Sequence, residues 1–296
     1  MKQITLPNGL TIWSASEQAA RFVYHEIFEE QCYKQHGLEL REGDTVVNIG
    51  ANVGLFELWL ATQLRRASVH SFEPAPVTFQ ALRRNLAGSP RLDYHLHNVG
   101  LSDRPGRATL SFCPRMPEMS TVRPWSADQQ RVYRDHVLAH LRQRSWGLLG
   151  RLVPAVLLRR LAERIRRWYM KPVPVEVELT TLSEVVRSCS LLRIDLLKID
   201  TESLECEILA GLDAADWPKV RQAAVEVHSA GDVPRVAGEF DRRGFRVNVA
   251  DSSGLFMVYA VRGADRDEDA GARAERRHGT AADERGGMAR PIERVA

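Results

Sequence analysis

The stretch Val46-Val47-Asn48-Ile49-Gly50-Ala51-Asn52-Val53-Gly54-Leu55-Phe56 constrains the fold of this chain more than any other. A β-branched run stops at a glycine, crosses a short Gly-x-x-x-Gly loop and enters an apolar helical pattern. That describes a strand feeding a helix through a turn of bare backbone. Turns of this kind let a ligand lie against main-chain amides at the helix start, as nucleotides do in α/β proteins. The three-glycine G-x-G-x-x-G spacing of nicotinamide sites is missing, which argues against a dehydrogenase.

The rhythm around this loop extends the picture. Strand patterns over 45–49, 68–73 and 92–98 alternate with helical patterns over 52–66 and 75–87, and a further strand is read over 107–112. The alternation resumes with a strand over 175–179, a helix over 182–187, a strand over 195–200, a helix over 204–212, a strand over 221–228 and a helix over 232–243. An antiparallel pair over 245–250 and 255–261 closes it. Apolar strands that barely alternate, separated by helices, predict a parallel sheet covered on both faces: an α/β, doubly wound, Rossmann-like fold. Ligands of such sheets bind beyond the C-terminal ends of the strands. Ahead of the sheet, two alternating runs around Pro7-Asn8-Gly9 predict a hairpin, and apolar spacing over 16–36 predicts a helix ended by Gly37. The predicted organisation is a lead over 1–37, one domain over 38–262 carrying a helical basic insertion over 114–174, and a disordered tail over 263–296. The tail is charged and almost devoid of large apolar residues.

Composition matters mainly through its unevenness. The 296 residues carry a net charge of only +3. From Arg123 to Lys171, however, twelve basic residues face three acidic ones, a local +9. Basic residues confined to one segment, with no recognisable DNA- or RNA-binding module, argue against a nucleic-acid partner. The four cysteines, Cys32, Cys113, Cys189 and Cys206, show no C-x-x-C spacing, so neither a zinc site nor a disulfide framework is implied. The N-terminus lacks the apolar stretch of a signal peptide, and the apolar run Trp146–Leu158 is broken by Arg151 and Pro154. A cytoplasmic chain with reduced thiols and no transmembrane segment is the expectation.

Several side chains carry chemistry by position. Glu73 in Ser71-Phe72-Glu73-Pro74 stands at the end of the second strand, where a carboxylate can accept hydrogen bonds from both hydroxyls of a ribose. Asp200, Glu226 and His228 stand at the ends of later strands, and the last two share a strand face. His228 is the expected general base, because an unperturbed imidazole titrates near working pH. The same cluster, with Glu202 and Glu205, has the chemistry to hold a divalent cation, a use that is not favoured since carboxylates also gather simply to solvate a helix start. Lys198 in a buried strand implies an ion pair or an acceptor contact. Trp125, Trp146, Trp168 and Tyr169 fall in or beside the basic insertion, either as packing or as a lid over a bulky acceptor.

Taken in order and spacing, VVNIGANVGLF, SFEPAP, HNVGLSDRPG, LLKIDTESLECEILAGL and AAVEVHS resemble the S-adenosylmethionine-dependent methyltransferases of the FkbM type. The resemblance runs from about Leu38 to Val261, leaving out the insertion. It implies a seven-stranded class I methyltransferase fold, S-adenosylmethionine as donor, and O-methylation of a hydroxyl on a small metabolite, a sugar or a polyketide. Carried over, Asn48, Gly50, Asn52 and Gly54 would line the methionine part of the donor, and Glu73 with Pro74 would hold the ribose. Asn98, Gly100 and Leu101 would border the adenine, and Asp200 would face the methyl and the acceptor. Asn48 stands where the family usually has Asp, which implies either weaker donor binding or support from another carboxylate, and Ser203 stands where it usually has Gly, which implies a differently shaped turn after Asp200. Alternatives to a freestanding enzyme are an acyl acceptor tethered to an acidic carrier protein that pairs with the +9 segment, and a membrane-surface module with a degenerate donor site.

Overall fold

The chain opens with an antiparallel hairpin, β1 (Lys2–Thr5) and β2 (Thr11–Ser14), turned at Gly9 with φ of 84°. These features belong to a computed structural model that describes residues 1–89, 91–123, 155–169, 171–252 and 255–263. Helix α1 (Glu17–Tyr24) follows, its first turn capped by Ser16, whose hydroxyl accepts the Ala19 amide at 3.2 Å. The long helix expected over 16–36 is not continuous. After α1 the chain makes a wider π-type turn over His25–Glu29, passes Gln31 in the left-handed region at φ 52°, and forms a 3-10 turn over Cys32–Lys34. A left-handed residue cannot sit inside an α-helix. The break turns Tyr33 inward, where its ring meets Phe56 edge-on at 5.0 Å.

The main sheet begins at β3 (Asp44–Ile49) and continues through α2 (Leu55–Gln63), β4 (Ala67–Phe72), α3 (Pro76–Leu86) and β5 (Asp93–His97). Helix α2 starts later than the sequence pattern predicts, because Asn52 and Gly54 hold φ of 48° and 91° and belong to the loop. A smaller sheet of β6 (Gly100–Leu101), β7 (Gly106–Phe112) and β8 (Val173–Thr180) has the order β6-β8-β7. Between β7 and β8 lies α4 (Ala155–Tyr169). Of the insertion expected over 114–174, residues 124–154 and 170, with Trp125 and Trp146 among them, lie outside the described residues, as does the tail beyond Gly263. The chain then returns through α5 (Leu182–Ser188), β9 (Leu196–Asp200), α6 (Glu205–Ala210), β10 (Gln222–Val227), α7 (Val233–Asp241), β11 (Phe245–Ser252) and β12 (Leu255–Arg262).

The seven-stranded sheet has the order β11-β12-β10-β9-β3-β4-β5, with β10, β9, β3, β4 and β5 mutually parallel and β12 antiparallel to both of its neighbours. This is the class I methyltransferase-like, Rossmann-like arrangement. One face is covered by α2, α3 and the N-terminal lead, through Leu55, Trp59, Leu82, Tyr24 and Tyr33 against Val46, Val69 and Leu196. The other is covered by α5, α6 and α7, through Leu182, Ile208 and Phe240 against Val47, Leu197 and Val225. Strand order reverses between β3 and β9, and a crevice at such a reversal is where doubly wound sheets bind ligands. Asn85 of α3 ties the hairpin to that crevice. Its amide donates to the carbonyls of Trp13 at 3.0 Å and Val53 at 2.7 Å, and its carbonyl accepts the Trp13 amide at 2.7 Å.

Candidate functional site

Glycine is required at the end of β3 for a reason visible in the backbone. A Cβ added to Gly50 would stand 1.8 Å from the carbonyl oxygen of Asp200, and Gly50 itself holds φ of 87°. The two strands that flank β3 therefore approach within bare-backbone distance of its loop, with Asp200 ending β9 on one side and Glu73 following β4 on the other. The amides of Gly50 and Ala51 both donate to the Phe72 carbonyl at 3.0 Å, which pins the loop to β4.

Glu73 has the geometry to receive a diol. One carboxylate oxygen accepts the Asn52 amide at 3.0 Å and the other accepts the Ala75 amide at 2.9 Å. Each oxygen keeps a further lone pair for a ligand hydroxyl. Burial pushes this carboxyl up to about 7, against the two amides that favour its charged form. Asn98 lies exposed beside it and donates its side-chain amide to the carbonyls of Glu73 at 2.8 Å and Pro74 at 3.0 Å, so it fixes the backbone of the turn that carries Glu73. Gly100 lets β6 run close to Pro74, since an added Cβ would lie 3.4 Å from the Pro74 Cβ and 2.8 Å from Leu179. The Leu101 side chain, placed at the adenine border by the resemblance, instead packs in the core with Phe72 and Leu182.

The carboxylate that Asn48 lacks is supplied from α2. Glu57 is fully buried, and one of its oxygens accepts from Asn48 Nδ2 at 2.7 Å and from Ser71 Oγ at 2.5 Å. Burial raises this carboxyl above its ordinary value, while the two side-chain hydrogen bonds oppose the rise. The second Glu57 oxygen and the Asn48 carbonyl oxygen are buried with no partner in the protein. Buried acceptors of this kind require a donor, either water or the ligand's ammonium. The glycine cradle, the diol-binding carboxylate and these orphaned acceptors fit the donor that the resemblance implies.

On the β9 and β10 side a charged cluster forms in sheet register, with Asp200 paired to Glu226. Lys198 Nζ donates to Asp200 Oδ2 at 3.0 Å and lies 5.4 Å from the Tyr33 ring and 5.6 Å from the Phe56 ring. His228 sits deeper, its side chain 9% exposed against 36% for Asp200. Its Nδ1 lies 3.0 Å from Glu205, and its Nε2 lies 3.5 Å from Glu202 and 3.4 Å from Glu226. Burial alone would lower its pKa, but Glu202, Glu205 and Glu226 together raise it well above the ordinary imidazole value. The expectation of His228 as general base meets this geometry badly: an imidazole held protonated has no lone pair for a proton. Glu202 is pushed up to about 8, by burial first, and Glu26 from the π-type turn is also pushed up to about 8, by burial and by Glu226 and Asp200.

The structure thus brings Asp200, Glu226 and His228 together, their ligand-type atoms within 4.8 Å of one another. Lys198 and the imidazolium supply positive charge inside this cluster. Ser203 does what the missing glycine would do, holding φ of 71° in the left-handed region. The start of the basic insertion is anchored here too: Thr121 Oγ1 donates to the Glu202 carbonyl at 2.7 Å, and Arg123 pairs with Glu207. Of the proposed lid aromatics, Trp168 is exposed on α4 with the Arg115 guanidinium 4.2 Å from its ring. Glu57, Tyr33 and Glu26 were not expected from the sequence. The readable signal for Glu57 was a lone acid in Leu55-Phe56-Glu57-Leu58-Trp59-Leu60-Ala61, a helix otherwise apolar on every side.

Comparison with known proteins bears on this geometry. Residues 48–247 match the family described as the methyltransferase FkbM domain. The 31-O-demethyl-FK506 methyltransferase FkbM of Streptomyces tacrolimicus is 35% identical over 260 residues, covering 86% of this chain and 93% of that protein. Methyltransferase sdnD of Sordaria araneosa is 32% identical, covering 80% and 86%. The AMB antimetabolite synthetase AmbE of Pseudomonas aeruginosa is 30% identical over 88% of this chain but only 12% of its own length.

Proposed function

The chain belongs to the FkbM methyltransferase family, and from that premise we propose that it is an S-adenosylmethionine-dependent O-methyltransferase acting on a hydroxyl of a small metabolite such as a polyketide or sugar. The observation that carries this is the placement of two carboxylates on either side of one glycine. Glu73 directly after β4 would then face the donor's ribose and Asp200 at the end of β9 the acceptor, with Gly50 directly after β3 between them. The relative named for a demethylated oxygen of FK506 supports oxygen as the atom methylated.

S-adenosylmethionine, when bound, supplies a methyl group on a sulfonium that leaves as a neutral thioether. The residues of this chain do the rest. Glu73 fixes the nucleoside through its two free lone pairs, and Glu57 with Asn48 receives the ammonium end. Asp200, the most exposed carboxylate of its cluster, takes the hydroxyl proton as the new O–CH₃ bond forms and the old S–CH₃ bond breaks. Lys198 holds the Asp200 carboxylate in place. The His228 imidazolium lies against Glu202, Glu205 and Glu226 and lessens the repulsion among these three acids beside the pocket. Alignment and exclusion of water supply most of the rate, and the positioned carboxylate adds about 10²- to 10⁴-fold.

AmbE supports a second acceptor class, because there the matching region stands inside a much longer synthetase. In that version the acceptor is an acyl group on an acidic carrier protein, engaged through the basic segment. A cytoplasmic location belongs to both versions; no helix of the described residues is long and apolar enough to cross a membrane. The test is incubation with the donor and a panel of free and carrier-tethered hydroxyl acceptors, read by the mass gained when one H is replaced by CH₃. Donor binding is followed in parallel by calorimetry. Product with free acceptors supports the first version, and product only with tethered ones, lost at high salt, supports the second. No calorimetric binding of the donor would overturn both.

A further inference from the structure

Away from the crevice, three side chains converge where the edge of the sheet meets the end of α5. His70 of β4 and His97 of β5 lie on the face covered by α5, α6 and α7, and Cys189 follows α5 directly. His70 Nδ1 and His97 Nε2 are both buried with no hydrogen-bond partner. His70 is itself 5% exposed. One nitrogen from each ring and the Cys189 sulfur all lie within 4.8 Å of one another. The His70 and His97 rings are nearly parallel, at 13° with centroids 5.9 Å apart.

Two unpaired buried imidazole nitrogens converging on one thiol are an expensive arrangement unless something donates to or bridges them. Their hydrogen bonding leaves the right atom free. His70 Nε2 lies 3.4 Å from Ser68 Oγ, so an Nε2–H donated to that hydroxyl leaves the Nδ1 lone pair facing the cluster. Ser188 Oγ lies 3.8 Å from Cys189 Sγ and now donates to the Val185 carbonyl at 3.3 Å, so it can turn its hydrogen to a thiolate only by releasing that carbonyl. Such partners for the ligands are what metal sites use to orient them. For a tetrahedral ion with bonds of about 2.0–2.1 Å to nitrogen and 2.3 Å to sulfur, ligand atoms lie roughly 3.4–3.6 Å apart. Against the present upper limit of 4.8 Å, no pair has to close by more than about 1.4 Å.

We propose that His70, His97 and Cys189 bind a zinc-class transition-metal ion through two imidazole nitrogens and one thiolate, leaving a fourth position to solvent. Binding replaces the S–H bond with a metal–sulfur bond and releases that proton to solvent. The donor set of imidazole and thiolate selects zinc, cobalt or copper over magnesium or calcium. The ion would join the end of α5 to strands β4 and β5. It would also steady the diol-binding turn, because the His97 carbonyl accepts the Glu73 amide at 3.1 Å. The site is separate from the Asp200, Glu226 and His228 cluster, which offers no sulfur.

The test uses the full chain without a histidine tag, stripped by chelation and returned to chelator-free buffer under anaerobic conditions. Titration with Co²⁺ is expected to give one equivalent of a near-ultraviolet thiolate-to-cobalt charge-transfer band with visible bands of a four-coordinate ion, and Zn²⁺ is expected to bleach both. Cys189→Ser should abolish the charge-transfer band, and His97→Gln should weaken cobalt binding at least tenfold. Circular dichroism of each variant confirms that it is folded, with Cys189→Ala as the alternative should the serine variant misfold. Cobalt bound without a charge-transfer band, no binding at all, or a band that survives loss of Cys189 each overturns the site.

Discussion

Glu73 offers a prediction that ties burial, proton uptake and donor affinity together. Its carboxyl is held at about 7, mainly because it is buried, against 4.5 in the unfolded chain. The folded apo protein therefore binds a proton that the unfolded chain releases between those values. The stabilising protonation is fully present below the unfolded pKa and is lost as pH rises through the folded one, a span worth ~3 kcal/mol. In Glu73→Gln the side-chain oxygen can accept only one of the Asn52 and Ala75 amides, and the new NH₂ faces the other. That unsatisfied amide costs about 1–3 kcal/mol, offset at pH 8 by removal of the buried charge, so the apo stability should change little. Donor affinity should not be spared. Losing charge-assisted hydrogen bonds to a ribose is worth about 1.5–3 kcal/mol, or roughly 10- to 150-fold in Kd. In the wild type, binding needs the carboxylate, so affinity at pH 6 should be about tenfold weaker than at pH 8. Binding at pH 6 should also release a proton, seen as a dependence of calorimetric heat on the buffer's ionisation enthalpy. In Glu73→Gln both the pH slope and the proton release should vanish. A wild-type affinity that is flat from pH 6 to 8, or a variant Kd within threefold of wild type, would refute the assignment of the ribose to this carboxylate.

Asp200→Asn should lower kcat by about 10²- to 10⁴-fold with donor Kd nearly unchanged, and a variant that turns over normally removes Asp200 as the proton acceptor. His228→Gln leaves Glu202, Glu205 and Glu226 without their cation and should cost about 3–5 kcal/mol at pH 8 in a urea titration. Because Glu202 titrates at about 8, the deficit should shrink as pH falls to 5, and a stability that is unchanged at pH 8 sinks the imidazolium. Gly50→Ala places a Cβ 1.8 Å from a backbone oxygen at φ of 87°, so it should abolish soluble folding or cost more than about 3 kcal/mol. Ser203→Gly relieves a left-handed serine and should raise stability by roughly 0.5–1 kcal/mol without moving donor affinity; a lower urea midpoint would contradict that.

What could be read from the sequence was what local pattern determines. The loop from Val46 to Phe56 and the alternation on both sides of it specify strands, helices and their order, since periodicity and glycine placement act over a few residues. Where a single backbone angle decides, the pattern misleads. Gln31 carries nothing in its identity that announces φ of 52°, so one long helix was expected where the chain turns to seat Tyr33. Charge states lie further from view still. His228 has an ordinary pKa as an isolated residue, and only the fold brings Glu202 of the β9–α6 loop and Glu205 of α6 against its two nitrogens. His70, His97 and Cys189 are separated by 119 residues from first to last, and the absence of C-x-x-C spacing speaks only to sites built from one local motif.

The same contrast separates the two halves of the pocket. The main groups proposed for the donor side, Gly50 and Asn52 in the loop between β3 and α2, Glu57 on α2 and Glu73 directly after β4, are positioned by sheet register and helix packing. The acceptor side is built differently. Tyr33 and Glu26 reach the Lys198 and Asp200 region from the N-terminal lead, and Thr121 and Arg123 tie the start of the basic insertion to Glu202 and Glu207. With Asp200 proposed to face the acceptor, segments outside the sheet would wall it, and such segments can change without disturbing the donor side. Exchange of residues 1–37 with the equivalent lead of a relative should accordingly alter acceptor preference and KM while leaving donor Kd within a few fold. If donor affinity falls instead, the lead is part of the donor site, and the Asn85 bridge from Trp13 to the Val53 carbonyl is where that coupling would run.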